Sequence, residues 1–304
     1  MKVVALAGGT GSAKLLRGLS RSGAELTVVA NVGDNYLANG LYVCPDVDTA
    51  VYTLAGVASR ERGWGVEGDT FEALGQLRRL GEPAWFSLGD RDIALHLARA
   101  RMLREGKSLT EATDALRRAL GSPWPVLPAT DARVETHVLT PEGALHLQEF
   151  WVRDRGRPAV KGVEYRGASG AAPTKEVRRA LSRADRIVVC PANPVTSIGP
   201  MLAVPGFTEM LAASRATAVG VSPMVGKAPV SGPAAKLMRG TGVRPDTVGV
   251  ARAYSGFLDA LLVDRGDAGS AGEIRALGVR CVPADIVMKG RAGEARLARE
   301  VLTA

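Results

Sequence analysis

Cysteine is scarce in this 304-residue chain: only Cys44, Cys190 and Cys281 occur, far apart and without metal-ligand spacing. That placement excludes a disulfide framework and gives no support to a zinc site. Long apolar runs are lacking too. The N-terminal run, Met1 to Ala7, is too short for a signal peptide and stops at glycine, and no later run approaches the roughly 20 residues that cross a bilayer. A cytoplasmic protein with no membrane partner is expected. Aromatic residues make up only 5% of the chain, and the formal net charge of +8 comes with arginines scattered through apparent helices, such as Arg78, Arg79, Arg117, Arg118, Arg178 and Arg179. A nucleic-acid surface needs clustered basic residues with interleaved aromatics, so this charge reads as solvated helix faces or as attraction for an anionic small molecule.

What the chain does have is a core's worth of apolar residues, 46%, enough for one large α/β domain or one with an inserted subdomain. Its organising stretch is Met1 to Lys14. Val3 to Ala7 read as a buried parallel strand, Gly8, Gly9 and Gly11 as the turn after it, and Ala13 to Ser20 as the first helix. Glycines let backbone approach a ligand closely, and the following helix aims its free N–H groups and positive dipole end at the same point. Gly8, Gly9, Thr10, Gly11, Ser12 and Lys14 are therefore candidate nucleotide-phosphate residues. The loop is not a Walker A sequence, since Lys14 lies between Ala13 and Leu15. Nor does it fit a dinucleotide fingerprint, which wants a small residue at Lys14 and an acid where the chain offers Asn31.

Leu26 to Val32 form a second strand ending in Asn31-Val-Gly-Asp-Asn35, which places Asp34 beside the glycine loop. Cys44-Pro-Asp-Val-Asp-Thr49 then precedes a helical pattern over Ala50 to Ala58. If that stretch is extended, Asp46 and Asp48 share a face, and Asp48 or Thr49 caps the helix. Three acids around a phosphate loop would repel the ligand unless a cation stood between, and oxygen ligands of this kind suit Mg²⁺. Asp34, Asp46 and Asp48 are the candidate metal ligands. Gly63 to Leu120 read as mostly helical, with Gly89-Asp-Arg-Asp92 opening a helix that carries His96. Here Asp90 reads as an N-cap with Arg91 as its partner, or the run faces a cleft. A β-hairpin over Val134 to Phe150 completes a smaller inserted unit, about residues 63 to 167. The parallel pattern resumes at Arg186 to Cys190 and Thr217 to Val221. Both strands deliver long polar, proline-rich loops, containing Asn193, Ser197 and Ser222, of the kind that hydrogen-bond a base or sugar.

Taken together, Gly8-Gly-Thr-Gly11, Asn31-Val-Gly-Asp34, Cys44 to Thr49, Leu88-Gly-Asp-Arg-Asp92, Pro191 to Pro200 and Val230-Ser-Gly-Pro233 resemble the phospholactate (phosphoenolpyruvate) transferase family of coenzyme F420 biosynthesis. The likeness runs in order from Met1 to about Pro283. It implies a Rossmann-like three-layer α/β/α fold with a mostly parallel sheet, a homodimer and Mg²⁺ dependence. It also implies transfer of a phospholactyl or phosphoenolpyruvyl group from a guanosine diphosphate conjugate to the deazaflavin alcohol Fo, with release of GMP. By the same resemblance Asp48 and Arg91 contact the deazaflavin. Mg²⁺ is expected on Asp34 and one of Asp46 or Asp48, with the remaining carboxylate orienting or deprotonating the acceptor hydroxyl. Two rivals share parts of the pattern: a nucleotide-sugar-binding regulator of the gluconeogenesis-factor type, and a dinucleotide-dependent oxidoreductase. Three substitutions follow as expectations. Gly11→Val weakens GDP binding, Arg91→Ala spares the fold, and Asp48→Asn slows turnover while leaving stability nearly unchanged.

Overall fold

The computed structural model of the chain describes residues 1–230 and 232–304; Ser231, within the Val230–Pro233 run, lies outside the described residues. In chain order the first half comprises β1 (Lys2–Ala7), α1 (Gly9–Leu19), β2 (Glu25–Ala30), a short hairpin of β3 (Tyr36–Ala38) and β4 (Leu41–Val43), α2 (Pro45–Ala55), α3 (Glu72–Arg79), α4 (Asp90–Arg104), α5 (Leu109–Ala119), β5 (Val126–Pro128), β6 (Glu135–Thr140), β7 (Gly143–His146) and β8 (Gly162–Arg166). The second half comprises α6 (Lys175–Ser182), β9 (Arg186–Val189), α7 (Gly199–Leu202), α8 (Phe207–Ala212), β10 (Thr217–Val221), a two-residue hairpin of β11 (Met224–Val225) and β12 (Ala228–Pro229), α9 (Ala234–Gly240), α10 (Thr247–Tyr254), β13 (Ala260–Asp264), α11 (Ala271–Ala276), β14 (Arg280–Ala284) and α12 (Gly290–Thr303).

Seven strands form one parallel sheet in the order β5-β2-β1-β9-β10-β13-β14. Counted by appearance this is 3-2-1-4-5-6-7, the doubly wound dinucleotide-fold order with one strand appended. Val3 through Ala7 are all buried, so both faces of β1 are covered, as they are when crossover helices layer a parallel sheet. The two strands carrying proline, β5 at Pro128 and β14 at Pro283, are the sheet edges, where a missing N–H costs no ladder bond. On the flank, α1 packs between α2 and α12, and Gly18 permits the contact: a Cβ there would stand 2.3 Å from the Glu294 carbonyl oxygen.

Several boundaries differ from the sequence expectation. The first helix starts at Gly9 rather than Ala13, which puts Thr10, Gly11 and Ser12 inside its first turn. The second starts at Pro45 rather than Ala50, because proline's fixed φ suits the first helical position. Asp46 and Asp48 are therefore helical and about 200° apart around the axis; they do not share a face. The stretch expected as an inserted unit returns to the main sheet at β5. After it, β6 pairs antiparallel with β7 and also with β8, so the expected hairpin is a three-stranded sheet.

Candidate functional site

The strand order reverses between β1 and β9, which opens a crevice at their carboxyl ends. The glycine turn after β1 and the Pro191–Ile198 loop after β9 meet there. A Cβ on Gly8 would lie 2.7 Å from the Ser197 Cβ, and one on Gly11 would lie 2.3 Å from the Pro191 carbonyl oxygen. These two glycines are thus demanded by packing of one loop on the other. At Gly11 the bare face meets backbone, so packing asks for glycine there independently of any phosphate. Gly9 has a φ of +66°, and its N–H donates to Asp46 Oδ1 at 2.6 Å. The Ser12 hydroxyl turns back on Gly8, donating to its carbonyl at 2.7 Å and accepting its N–H at 3.1 Å. Thr10 and Lys14 are exposed at the helix start, and among the described residues the N–H groups of Thr10 and Gly11 have no protein acceptor. They remain available to an anion.

Asp46 and Asp34 converge at this point. The Asn31 amide donates to Asp46 Oδ2 at 2.9 Å and to Asp34 Oδ1 at 3.0 Å. Burial pushes the Asp46 carboxyl up to about 6, against the lowering effect of its bonds from Asn31 and Gly9. Burial, reinforced by the Asp46 charge, raises the Asp34 carboxyl well above the ordinary range. In both carboxyls burial, which disfavours the charged form, is the largest cause of the rise. The small antiparallel sheet braces the Asp34 turn: Thr136 N–H donates to Gly33 O at 2.7 Å, and Gln148 Nε2 to Asp34 O at 3.1 Å. Gln148 N–H also donates to His146 Nδ1 at 3.1 Å, so Nε2 of that ring carries the hydrogen facing Asn35 O at 3.1 Å. From β8, the Tyr165 hydroxyl donates to Val195 O in the β9 loop.

The donor set fits Mg²⁺. Among the described residues no group of three or more His, Cys, Asp or Glu side chains is arranged to hold a metal ion; Mg²⁺ is commonly held by one or two carboxylates, with water and substrate phosphates completing its shell. Asp34 and Asp46 supply the pair. Asp48 does not join them. Leaving α2 on the opposite side, its carboxylate is gripped by Arg99 of α4, whose Nη1 donates to Oδ2 at 3.1 Å while Nη2 holds Oδ1. Cys44 N–H donates to the same Oδ2 at 3.2 Å, and His96 Nδ1 lies 3.7 Å away. Burial lowers the His96 ring to about 4, so it is neutral at pH 7; burial raises the neighbouring Asp92 carboxyl to about 6.

At the start of α4 the chain makes a reciprocal cap that sequence spacing hides. Asp90 does not cap its own helix; its carboxylate accepts the N–H groups of Glu72 and Ala73 at the start of α3. Asp69 in turn accepts Arg91 N–H at 2.9 Å at the start of α4. A Cβ on Gly89 would collide with Asp69, so the exchange needs glycine there. Arg91 itself is exposed, and its Nη1 donates to Glu67 O at 2.8 Å.

The remaining candidates divide. Ser197 lines the glycine loop, and Asn193 caps its own turn by accepting Val195 N–H at 2.9 Å, which leaves its amide nitrogen without a partner among the described residues. Ser222 is fully buried with its hydroxyl turned onto Met224, accepting the N–H and donating to the carbonyl. It stabilises its own turn rather than facing the crevice. The sequence expectations assigned no site role to Asn31 or Arg99. The position of Asn31 at a strand's carboxyl end is a signal for it, whereas Arg99 lies within a charged helical run that spacing cannot distinguish from a solvated face.

Comparison with known proteins identifies the family. The 2-phospho-L-lactate transferase CofD family model matches residues 3–289. A phosphoenolpyruvate transferase of Streptomyces griseus is 44% identical, the match covering 99% of this chain and 98% of that protein. A 2-phospho-L-lactate transferase of Methanopyrus kandleri is 43% identical over 99% of this chain and 97% of that protein. Among solved structures, protein BH3568 of Bacillus halodurans superposes with a TM-score of 0.67 at 20% identity, covering 99% of each chain, a likeness of fold alone. With a family match over nearly its whole length, and relatives above 40% identity end to end, this chain belongs to the CofD family of 2-phospho-L-lactate transferases.

Proposed function

We propose that this protein transfers a phospholactyl or phosphoenolpyruvyl group from a guanosine diphosphate conjugate to the primary ribityl hydroxyl of the deazaflavin Fo, in coenzyme F420 biosynthesis. The acceptor oxygen attacks the phosphorus distal to guanosine, and the bond from that phosphorus to the bridging oxygen breaks. The hydroxyl proton passes to solvent water, and GMP leaves with the electron pair of the broken bond, and its charge, on the former bridging oxygen. The observation that carries this reading is the Asp34–Asp46 pair, held beside the glycine turn at the sheet's switch point in a chain of this family. Bound there, Mg²⁺ would neutralise the diphosphate and the developing charge on the leaving group.

The chain's own residues supply position. Thr10 and Gly11 offer helix-start N–H groups to a phosphate oxygen, and the unpartnered Asn193 amide nitrogen and Ser197 would serve the nucleotide end. Arg91, exposed at the start of α4, serves the acceptor end. The role implied for Asp48 as a base is narrowed: a carboxylate with both oxygens hydrogen-bonded by Arg99 and Cys44 orders the acceptor side without meeting the hydroxyl proton. A homodimer is part of the same reading.

Thermal unfolding with candidate ligands tests it, because only a ligand that binds the native state raises its stability. GDP with Mg²⁺, and Fo, are expected to raise the midpoint, while NAD and nucleotide sugars leave it unchanged. Protection by a nucleotide sugar alone would favour the regulator reading. The phospholactyl and phosphoenolpyruvyl donors are assayed side by side, since relatives of both names stand at similar identity.

A further inference from the structure

Asn31 directly follows β2, where its N–H donates to Ala7 O at 2.9 Å, and it is fully buried. Its amide nitrogen faces three acceptors from three different segments: Asp46 Oδ2 at 2.9 Å, Asp34 Oδ1 at 3.0 Å and Thr196 O at 3.1 Å. The amide oxygen accepts Gly33 N–H at 2.9 Å. A donor on one side and three acceptors on the other fix which way the amide points, since a flipped group would set its nitrogen against a donor and its oxygen against three acceptors. From this geometry we infer that Asn31 is a positioning residue, which presents Asp34 and Asp46 as one preformed pair to the divalent cation of the transfer reaction. The inference rests on the reading of those two carboxylates as metal ligands.

The chemistry of the position argues for an amide. A lysine or arginine between two carboxylates would carry a fixed positive charge in the cation's place. An aspartate would add a third negative acceptor and donate nothing. The neutral NH₂ group satisfies one oxygen of each acid whether or not a cation is present. Among the described residues Asp34 Oδ2 accepts no hydrogen bond, so the oxygen that Asn31 leaves alone is available to a metal. Outer partners of this kind orient ligands, and losing one typically costs about 10- to 100-fold in metal affinity.

Mn²⁺ serves as the probe, followed by the electron paramagnetic resonance signal of the free ion in the absence of both substrates. Asn31→Ser keeps a polar side chain that cannot span the two acids, and Mn²⁺ affinity is expected to fall about 10- to 100-fold. Asn31→Thr, which keeps more volume and suits a strand end, is the second variant should the serine protein not fold. A folded variant that binds Mn²⁺ within about twofold of the parent overturns the inference. Asp34→Asn and Asp46→Asn are measured in parallel. If these also leave Mn²⁺ binding unchanged, the assignment of the metal pair itself fails; if they abolish it while the Asn31 variants do not, only the positioning role fails. A role confined to folding would lower the unfolding midpoint of the Asn31 variants and leave Mn²⁺ affinity intact.

Discussion

Arg99 and Asp48 form a buried ion pair between α4 and α2, the arginine 1% and the aspartate 4% exposed, with the guanidinium bonded to both carboxylate oxygens. Removing one partner strands the other's charge out of water, at a cost of about 3–5 kcal/mol. Asp48→Asn is therefore predicted to destabilise by about 3 kcal/mol in urea unfolding, as is Arg99→Met. This replaces the sequence-based expectation of little change, which treated Asp48 as a helix cap that asparagine could match. The double variant should lose less than the sum of the single losses. An Asp48→Asn protein with the parent's unfolding midpoint would show that the pair contributes nothing.

Gly11→Ala should cost about 1–3 kcal/mol, the usual range for forcing extra atoms into a packed contact, because the new Cβ would meet the Pro191 carbonyl oxygen at 2.3 Å. Its GDP affinity should fall as well, since the loops after β1 and β9 would part. Calorimetric titration with GDP and a melting curve of the same preparation check both. Unchanged stability would mean that the two loops do not bear on each other.

The fold was largely legible in the sequence because parallel strands buried on both faces leave continuous apolar runs, as at Val3–Ala7 and Ile187–Val189. The place of the candidate site was legible for a related reason: Gly8 and Gly9 lie where β1 gives way to α1 and Asp34 lies in the turn after β2, and the carboxyl ends of parallel strands gather at the switch point. Less legible were contacts distant in sequence. Asp46 and Asp48 look alike until the helix is known to start at Pro45, which sends one acid to Asn31 and the other to Arg99. The exchange of caps between Asp69 and Asp90 depends on two helix starts meeting in space, and no local spacing encodes it.

Arg91→Ala should leave the melting temperature nearly unchanged, because the side chain is exposed and its contact is a single bond to Glu67 O. The KM for Fo should rise, with little change in the KM for the donor. A fall in stability with a normal KM for Fo would assign Arg91 to the fold.

Asp46 carries a pH signature. Its folded-state value near 6 lies above the ordinary 3.8, so its contribution to stability is fully present below about pH 4 and is lost as pH rises through 6. His96, held down to about 4 against an ordinary 6.5, acts in the opposite sense, and for that reason the comparison is made between variant and parent. Relative to Asp46→Asn, the parent should lose on the order of 2 kcal/mol between pH 4 and pH 7. Mg²⁺ at pH 7 should restore stability to the parent and not to the variant. Parallel pH profiles of the two proteins would remove Asp46 from the charge-bearing pair.

The central claim, that the Asp34–Asp46 pair is the cation pole of a transferase, is tested most directly by GMP release. The parent and Asp46→Asn are mixed with Fo, Mg²⁺ and each guanosine diphosphate conjugate in turn. The parent is predicted to release GMP only when Fo and Mg²⁺ are both present. Asp46→Asn is predicted to be slower by about 10²-fold or more, the loss expected when a ligand or a directed electrostatic contact leaves a transfer site. GMP release by Asp46→Asn at the parent's rate under limiting Mg²⁺, or no Fo-dependent release by the parent with any donor, would contradict the account.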